Sequence, residues 1–170
     1  MMVDFGHTSW LFWPSTISAL SAACDVTKEA DLAAAVDLTV DTFGSLSILV
    51  NNAGIQHVAP VQDFPPEKWD AIIAINLTSA FHTTAAAVTG MRERGWGRII
   101  NISSIVGATG NPGQVNYAAS KAGMIGLTRS LAQALGPHGV RVNELALGAV
   151  LPPVGGEDGD ETSFDLVPGG

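Results

Sequence analysis

The sequence predicts an α/β fold with a parallel sheet. Short apolar runs alternate with longer segments of helical periodicity from about residue 19 to residue 146, as in parallel strands joined by crossover helices. With 170 residues and 46% hydrophobic content, the chain can bury the core of one domain. We divide it into an N-terminal segment (1–19), an α/β core (20–150) and an acidic C-terminal segment (151–170).

The first half of the core is predicted to form a strand, a helix and a second strand. "ALSAACDV" (19–26) is the first strand, and the helix follows from Lys28 to Phe43. Thr27 is the expected N-cap of this helix, and Gly44 lies just beyond its end. The buried strand "LSILV" (46–50) completes the unit.

The second half repeats this alternation with longer helices. A loop leads to Pro65 and Pro66, which suit the first turn of a helix that runs to about Arg94. The later elements are a strand over 97–103, a Gly-rich loop over 107–113, a helix over about 114–135 and a strand over 140–146.

The composition excludes several classes of protein. The formal net charge is −8, and residues 151–170 carry five acids and no base, so most of the acidity lies in a segment whose composition predicts disorder. Without a basic cluster we expect no nucleic-acid partner, and no apolar run approaches the about 20 residues of a membrane span. The single Cys24 excludes an internal disulfide, no metal-ligand spacing appears, and we expect a cytoplasmic protein.

Tyr117 and Lys121 lie one helical turn apart among small side chains. Residues i and i+4 share a helix face, so both can point at one site. For a phenol to exchange protons at neutral pH, its pKa must fall by about 3 units, which corresponds to about 4 kcal/mol. A nearby ammonium favours the phenolate. By itself, this spacing is more typical of an ordinary helix than of a catalytic site, with the phenol at the margin of the core and the lysine solvated.

Ser104 shifts this interpretation towards chemistry. It lies at the carboxyl end of a predicted strand, where open α/β sheets bind ligands, and its hydroxyl can hold a carbonyl oxygen. Ser103 points the other way if the strand continues, so the choice between the two serines depends on the register.

Several motifs together resemble the short-chain dehydrogenase/reductase family. They are "NNAG" (51–54), Asn76, Ser104 and "YAASK" (117–121), in the family's order and spacing, and "RVNELALG" resembles its next strand. The resemblance covers the core. It implies a partial Rossmann-like, doubly wound parallel sheet with strands three to six of the family order, and NAD or NADP as cofactor.

The resemblance also implies catalytic roles. Tyr117 is the expected acid/base, Lys121 favours its phenolate and binds the nicotinamide ribose, and Ser104 orients the carbonyl group. Asn76 is expected to hold a water in a proton relay to Lys121. A polar residue within an apolar helix also marks a kink or a satisfied core amide, which is the alternative for Asn76.

The implied cofactor contacts are spread along the core. Asp25 resembles the residue that binds the adenine amino group, although it could instead cap the next helix. The stretch from Asn52 to Gly54 resembles the adenosine side, although a tight turn uses the same residue types. The full implied set is Asp25, Val26, Asn52, Ala53, Gly54, Tyr117, Lys121, Gly148 and Val150.

The chain departs from the family pattern at both ends. The Gly-rich phosphate-binding segment is missing, because residues 1–18 contain one glycine, Gly6; the glycines of 107–113 lie where the family has its active-site loop. We therefore expect an unpaired edge at "LSILV", for which "SWLFW" (9–13) is a candidate substitute strand. The substrate lid that follows the core in the family is also missing.

The substrate positions are Gln56, Ser104 and Gln114. The region around Gln56 resembles 3-hydroxybutyrate dehydrogenases, and the region around Gln114 resembles 3-oxoacyl-carrier-protein reductases. We predict an oxidoreductase that interconverts a small-molecule 3-oxoacyl and 3-hydroxyacyl compound. The alternative is a non-catalytic member of the family. In either case we expect a homo-oligomer formed through the helices over 66–94 and 114–135.

Overall fold

Three parallel strands form the sheet of residues 18–148, which are the residues that this computed structural model describes. Strand β1 (Ile48–Asn51) pairs with β2 (Gly97–Ser104), and β2 pairs with β3 (Val140–Leu147). Parallel neighbours need crossover connections, and helices supply them here. The predicted partial α/β fold is confirmed.

The described residues also form five α-helices: α1 (Glu29–Phe43), α2 (Pro66–Ile73), α3 (Ser79–Glu93), the short α4 (Val106–Thr109) and α5 (Val115–Leu135). A π-helical turn, Ala74–Thr78, joins α2 to α3 without a break. The chain therefore forms one continuous helix where the sequence predicted one. Gly44 ends α1 with φ of 81°, as expected for a residue beyond a helix end.

Two predictions at the start of the core are wrong. Residues 19–26 form no strand, because a strand is held by its neighbours and the expected sheet order separates this segment from β1 by two strands. Thr27 is not the N-cap of α1: Lys28 takes that position without a side-chain cap. The Thr27 hydroxyl instead donates to Asp25 Oδ1 at 2.7 Å.

One face of the sheet is covered by α3 and α5. Alternate residues of the strands point to this side. They form a buried cluster with the two helices that contains Ala87, Met91, Ile99, Leu135, Val140 and Val142. We call this side the covered face.

The opposite side, which we call the open face, carries the other alternate residues: Ile48, Val50, Arg98, Ile100, Ile102, Ser104, Arg141, Asn143, Leu145 and Leu147. Ile48 is 55% exposed and Leu145 is 52% exposed. Within residues 18–148 the outer edge of β1 pairs with no strand, as expected. The candidate substitute strand over 9–13 lies outside the described residues, as does the acidic segment over 151–170.

Hydrogen-bonded side chains cross the covered face. Thr83 Oγ1 of α3 donates to Asn51 Oδ1 at 2.6 Å, and Asn51 Nδ2 donates to Asn101 Oδ1 at 2.8 Å. Asn101 Nδ2 in turn donates to Thr128 Oγ1 of α5 at 2.8 Å. This network links both helices through β1 and β2, so the helices are fixed relative to the carboxyl ends of the strands.

The continuous helix Pro66–Glu93 is long and apolar enough, by length and composition alone, to cross a membrane; its best window has a mean hydropathy of 1.4. The expectation that no apolar segment approaches this size was wrong, because 71–91 contains no Asp, Glu, Lys or Arg. In this structure one side of the helix is buried in the fold, with Ile72, Asn76 and Met91 almost inaccessible. Of the residues in that window, 33% are buried.

Candidate active site

A cleft of about 620 Å³ lies at the carboxyl ends of β2 and β3. The loop after β1, helix α4 and the first half of α5 complete its walls. The polar and charged side chains among its lining residues are Asn52, Gln56, Ser103, Ser104, Thr109, Asn111, Gln114, Tyr117 and Lys121. The cleft thus lies where a parallel α/β sheet is expected to bind its ligand.

Helix α5 places Tyr117 and Lys121 on the wall of the cleft, as their spacing predicted. Lys121 Nζ lies 5.6 Å from the centroid of the Tyr117 ring and donates to the backbone oxygen of Ile102 at 2.7 Å. Lys121 is only 5% exposed, and this burial lowers its pKa. A poorly solvated cation is therefore held beside the phenol, at the end of β2.

The strand register separates the two serines. Ser103 Oγ donates to the backbone oxygen of Lys121 at 3.3 Å, towards the covered face. Ser104 Oγ accepts a hydrogen bond from Val106 N at 3.3 Å. A hydroxyl that accepts in this way keeps its own proton for another partner. Ser104 can thus donate to a ligand oxygen, whereas the Ser103 hydroxyl is already used by α5.

Gly107 brings the loop after β2 close to α5. A Cβ atom at Gly107 would lie 2.7 Å from the carbonyl carbon of Lys121 and 2.9 Å from Ala122 N. Such distances exclude any larger residue unless the backbone moves. The glycine therefore fixes α4, and with it the side of the cleft near Ser104, against the backbone of Lys121.

Asn76 lies in the π-helical turn and is 1% exposed. Its Oδ1 accepts from Ile55 N at 2.8 Å, and its Nδ2 donates to Ile55 O at 2.9 Å. Nδ2 also lies 3.5 Å from Ser120 Oγ. These are the contacts of a satisfied core amide, and they tie the loop after β1 to the helices. Its expected part in a proton relay stays a prediction.

The expected cofactor residues fall into three groups. Asn52, Gly54 and Gly148 line the cleft together with the Tyr117–Lys121 pair. Val26 and Ala53 instead line a smaller cavity of about 120 Å³, which Asn52 and Asn76 also border. Asp25 lines neither of these cavities, and Val150 lies outside the described residues.

Asp25 makes local contacts. Its Oδ1 accepts from the Thr27 hydroxyl and from Thr27 N, and these hydrogen bonds lower the pKa of the Asp25 carboxyl. Lys28 Nζ lies 3.4 Å from Asp25 Oδ2. The side chain thus organises the turn before α1, which is close to the capping role that was the alternative.

Gln56 and Gln114, the expected substrate residues, both line the cleft. The sequence reasoning missed Asn111, whose Nδ2 donates to Gln114 Oε1 at 2.8 Å. A signal was present, because two amides three residues apart precede the Tyr–Lys helix. Among the described lining residues, Lys121 is the only one with a charged side chain.

The cleft offers polar groups of the kind that a nicotinamide riboside would need. They include the Tyr117 phenol and the Lys121 ammonium. The Gly-rich segment over 107–113 lies on the Ser104 side of the cleft, where Gly107 packs against the backbone of Lys121. Apart from it, residues 18–148 contain no Gly-rich turn from a strand into a helix that could receive a diphosphate. That part of the chain also contains no group of three or more His, Cys, Asp or Glu residues suited to a metal ion.

Comparison with known proteins shows related dehydrogenases. The chain is 44% identical over 140 residues to D-beta-hydroxybutyrate dehydrogenase of Rhizobium meliloti (strain 1021), covering 82% of this chain and 54% of that protein. It is 44% identical over 128 residues to the 3-oxoacyl-[acyl-carrier-protein] reductase FabG of Vibrio cholerae, covering 75% and 52%. The chain thus spans about half the length of the curated relatives it matches.

A solved structure shares the fold. The crystal structure of NAD+-bound xylitol dehydrogenase matches with a TM-score of 0.72 and 40% identity, over 74% of this chain and 48% of that one. The short chain dehydrogenase family profile matches residues 15–162, which is most of the sequence. These matches confirm the family expected from the motifs, and the chain belongs to the short-chain dehydrogenase family.

Proposed function

We propose that the chain is an NAD(P)-dependent oxidoreductase that interconverts a 3-oxoacyl and a 3-hydroxyacyl compound, with Tyr117 as the acid/base. The observation that carries this proposal is the buried Lys121 ammonium beside the Tyr117 ring in the cleft that Ser104 also lines. The names of the relatives, which include a hydroxybutyrate dehydrogenase and a 3-oxoacyl reductase, support the substrate class.

In the proposed reduction, the substrate carbonyl oxygen accepts a hydrogen bond from the Ser104 hydroxyl. When bound, reduced nicotinamide supplies the hydride to the carbonyl carbon. Tyr117 donates its proton to the oxygen, so the products are the alcohol and a phenolate. The nearby Lys121 ammonium stabilises that phenolate, and its attraction is strengthened because Lys121 is poorly solvated. The oxidative direction reverses these steps.

Asn76 has two parts in the proposal. Through both of its hydrogen bonds to Ile55 it positions the loop that carries Gly54 and Gln56 to the cleft. The cavity of about 120 Å³ beside Asn76 is large enough for water, but neither Tyr117 nor Lys121 lines it. The proposed proton relay therefore rests on the family resemblance.

The charge of the cleft favours an uncharged acyl substrate. Lys121, the one charged lining residue among those described, already donates to Ile102 O. A substrate carboxylate would have to be held by amides such as Gln56 and Gln114, and a buried charge without a cationic partner is costly. A thioester or ester of a 3-oxo acid therefore fits better than the free acid.

The proposal includes assembly and location. We propose a cytoplasmic homo-oligomer formed through α3 and α5, with a small-molecule carbonyl or alcohol as substrate. On α3, Phe81 is 53% exposed, and an aromatic side chain on that surface suits a helix interface. The second candidate function is a non-catalytic member of the family, favoured by the missing diphosphate site in the described residues.

A matched set of variants tests the activity. We expect Tyr117→Phe to lower kcat for NAD(P)H-dependent reduction of an acetoacetyl thioester by about 10²- to 10⁴-fold, because the proton donor is lost. Ser104→Ala should lower kcat markedly, whereas Ser103→Ala should retain most activity. Unchanged activity in Tyr117→Phe would contradict the acid/base role.

Cofactor binding distinguishes the two candidate functions. Titration of the full chain with NADH and with NADPH, followed by nucleotide fluorescence, should saturate if the chain is an oxidoreductase. A millimolar dissociation constant corresponds to a binding free energy of about −4 kcal/mol. A folded chain that binds neither nucleotide at millimolar concentration would favour the non-catalytic alternative.

A further inference from the structure

A tight turn precedes α5 and carries two of the side chains that line the cleft, Asn111 and Gln114. Gln114 N donates to the backbone oxygen of Asn111 at 3.1 Å, which closes the turn over the sequence "NPGQ". Pro112 and Gly113 occupy its two central positions, and Gly113 has φ of 74°. Proline followed by a residue with positive φ is the pattern of a type II turn, in which both central residues are conformationally restricted.

The turn is also fixed against the loop after β1. Ala59 N donates to the backbone oxygen of Gly113 at 3.0 Å. A Cβ atom at Gly113 would lie 2.9 Å from Val58 Cγ1, so the two segments are in close contact. Asn111 and Gln114 are therefore carried by a well-fixed backbone at the wall of the cleft.

The side chains of Asn111 and Gln114 are hydrogen-bonded to each other. Asn111 Nδ2 donates to Gln114 Oε1 at 2.8 Å. This contact uses the oxygen of the Gln114 amide and leaves the two N–H groups of Nε2 for other partners. Within residues 18–148 no hydrogen bond from Gln114 Nε2 is formed, although Gln114 is only 8% exposed and lines the cleft. Because a buried donor without a partner is costly, these N–H groups suit a ligand oxygen.

Helical spacing brings this amide close to the Tyr117–Lys121 pair. Gln114 is the N-cap residue of α5, and Tyr117 and Lys121 follow it by three and seven residues. Residues at such spacing share one helix face, and all three line the cleft. The Gln114 amide thus lies on the same wall as the phenol, one turn closer to the amino end of α5.

We propose that Asn111 is a positioning residue that sets substrate specificity: it holds the oxygen of the Gln114 amide, so that the N–H groups face the cleft. In this orientation the amide binds the C1 carbonyl oxygen of a 3-oxoacyl ester or thioester. This role rests on the proposed function, in which Ser104 and Tyr117 hold the C3 carbonyl of the same substrate. A ketone without the second carbonyl leaves the Gln114 donor unpaired and is a poorer substrate.

Three substitutions separate the parts of this arrangement. Gln114→Met removes the donor, and Asn111→Ala removes the group that orients it. Asn111→Asp reverses the orientation, because a carboxylate only accepts hydrogen bonds and would bind Gln114 Nε2. The amide oxygen would then face the cleft and the C1 oxygen of the substrate, and two acceptors repel each other.

Two ketones that differ only in the second carbonyl test the specificity of the full chain. Ethyl acetoacetate carries this carbonyl, and 4-ethoxy-2-butanone, the ether ketone, has a methylene group in its place. The ratio of kcat/KM for the ester to kcat/KM for the ether ketone cancels any effect that a variant has on both substrates. We expect Gln114→Met and Asn111→Ala to lower this ratio by about 2- to 10-fold, as for the loss of one hydrogen bond, and Asn111→Asp to lower it further.

The matched control for the added charge is Asn143→Asp. Asn143 is exposed on the open face and does not line the cleft, so this variant should keep the native ratio. If Asn111 only stabilised the turn, its variants would lower kcat/KM for both ketones equally, and the unchanged ratio would contradict the proposed role. A higher ratio in Asn111→Asp would also contradict it, because the native amide would then present its oxygen to the cleft.

A binding experiment separates this role from the proposed activity. The side-chain amide signals of Gln114, identified by their loss in Gln114→Met, should shift when the full chain is titrated with ethyl acetoacetate and stay in place with the ether ketone. Such a shift requires no hydride transfer. A chain that shows it without turnover would contradict the proposed oxidoreductase but retain the acceptor site. Absence of the shift would overturn the role of the Asn111–Gln114 pair, whether or not the chain turns over.

Discussion

The two faces of the sheet differ although the same three strands form both. The covered face carries Ile99, Val140 and Val142 under two helices, whereas the open face changes from polar to apolar residues along β3. In that strand Arg141 and Asn143 suit exposure, and Leu145 and Leu147 do not. Strands of parallel sheets are usually buried on both sides. Along β3 the open face is therefore polar at its amino end and apolar at its carboxyl end, where Leu147 lines the cleft.

The largest expected difference in stability is between alanine variants of two isoleucines on neighbouring strands. Ile99→Ala removes a side chain that is 0% exposed and should lower the free energy of unfolding by about 2 to 5 kcal/mol, because a cavity is left. Ile48→Ala, at a position that is 55% exposed, should cost about 1 kcal/mol or less. Urea unfolding of both variants measures the difference, and equal losses would mean that the open face is as deeply buried as the covered face.

An intermediate contrast compares two asparagines. Asn101→Ala leaves the Asn51 amide and the Thr128 hydroxyl without their partner and should cost about 1 to 3 kcal/mol. Asn143→Ala on the open face, where the residue is exposed, should change stability by less than about 0.5 kcal/mol. Thermal unfolding checks both. A large loss in Asn143→Ala would reveal a partner for Asn143 on the open face.

The smallest expected difference is in the pH dependence of stability of two lysine variants, and it appears only at alkaline pH. The pKa of Lys121 is lowered by burial, so between that lowered pKa and 10.5 the unfolded chain binds more protons than the native chain. Stability therefore rises with pH through this window, and Lys121→Met should lack the rise. The control Lys68→Met alters an exposed lysine and should keep it. Urea unfolding at several pH values measures the slopes, and identical slopes for Lys121→Met and the native chain would contradict the burial of a charged lysine.

Much of the fold follows from local patterns. The Tyr–Lys helix and the strand after it were predicted to within one residue of α5 and β3, because periodicity and glycines mark their ends. The prediction of a strand over 19–26 was wrong although the segment is largely apolar. A strand depends on pairing with neighbouring strands, and the local sequence does not show which neighbours are present. Thr27 failed as a cap because it bonds Asp25 instead.

The part of the candidate site that lies on a single helix was predictable from the sequence. Tyr117 and Lys121 share α5, and helical spacing alone brings them together. Contacts between distant segments were not predictable: Lys121 Nζ with Ile102 O, and Asn76 with the Ile55 backbone, depend on how helices pack against the sheet. The choice between Ser103 and Ser104 needed the strand register, which the structure supplies.

The sheet topology has a consequence for how the chain reaches this structure. Ile48 pairs with Arg98, and Arg98 with Arg141, so every strand pairing in the described sheet is between residues far apart in sequence. Each pairing must close a loop of roughly 40 to 50 residues, at a cost in chain entropy, before the contacts between the strands stabilise it. Such high contact order slows folding. Helices form sooner, so newly made chains should pass through helical intermediates with unpaired, apolar strands. Chaperone dependence during synthesis is thus an expected property of this topology.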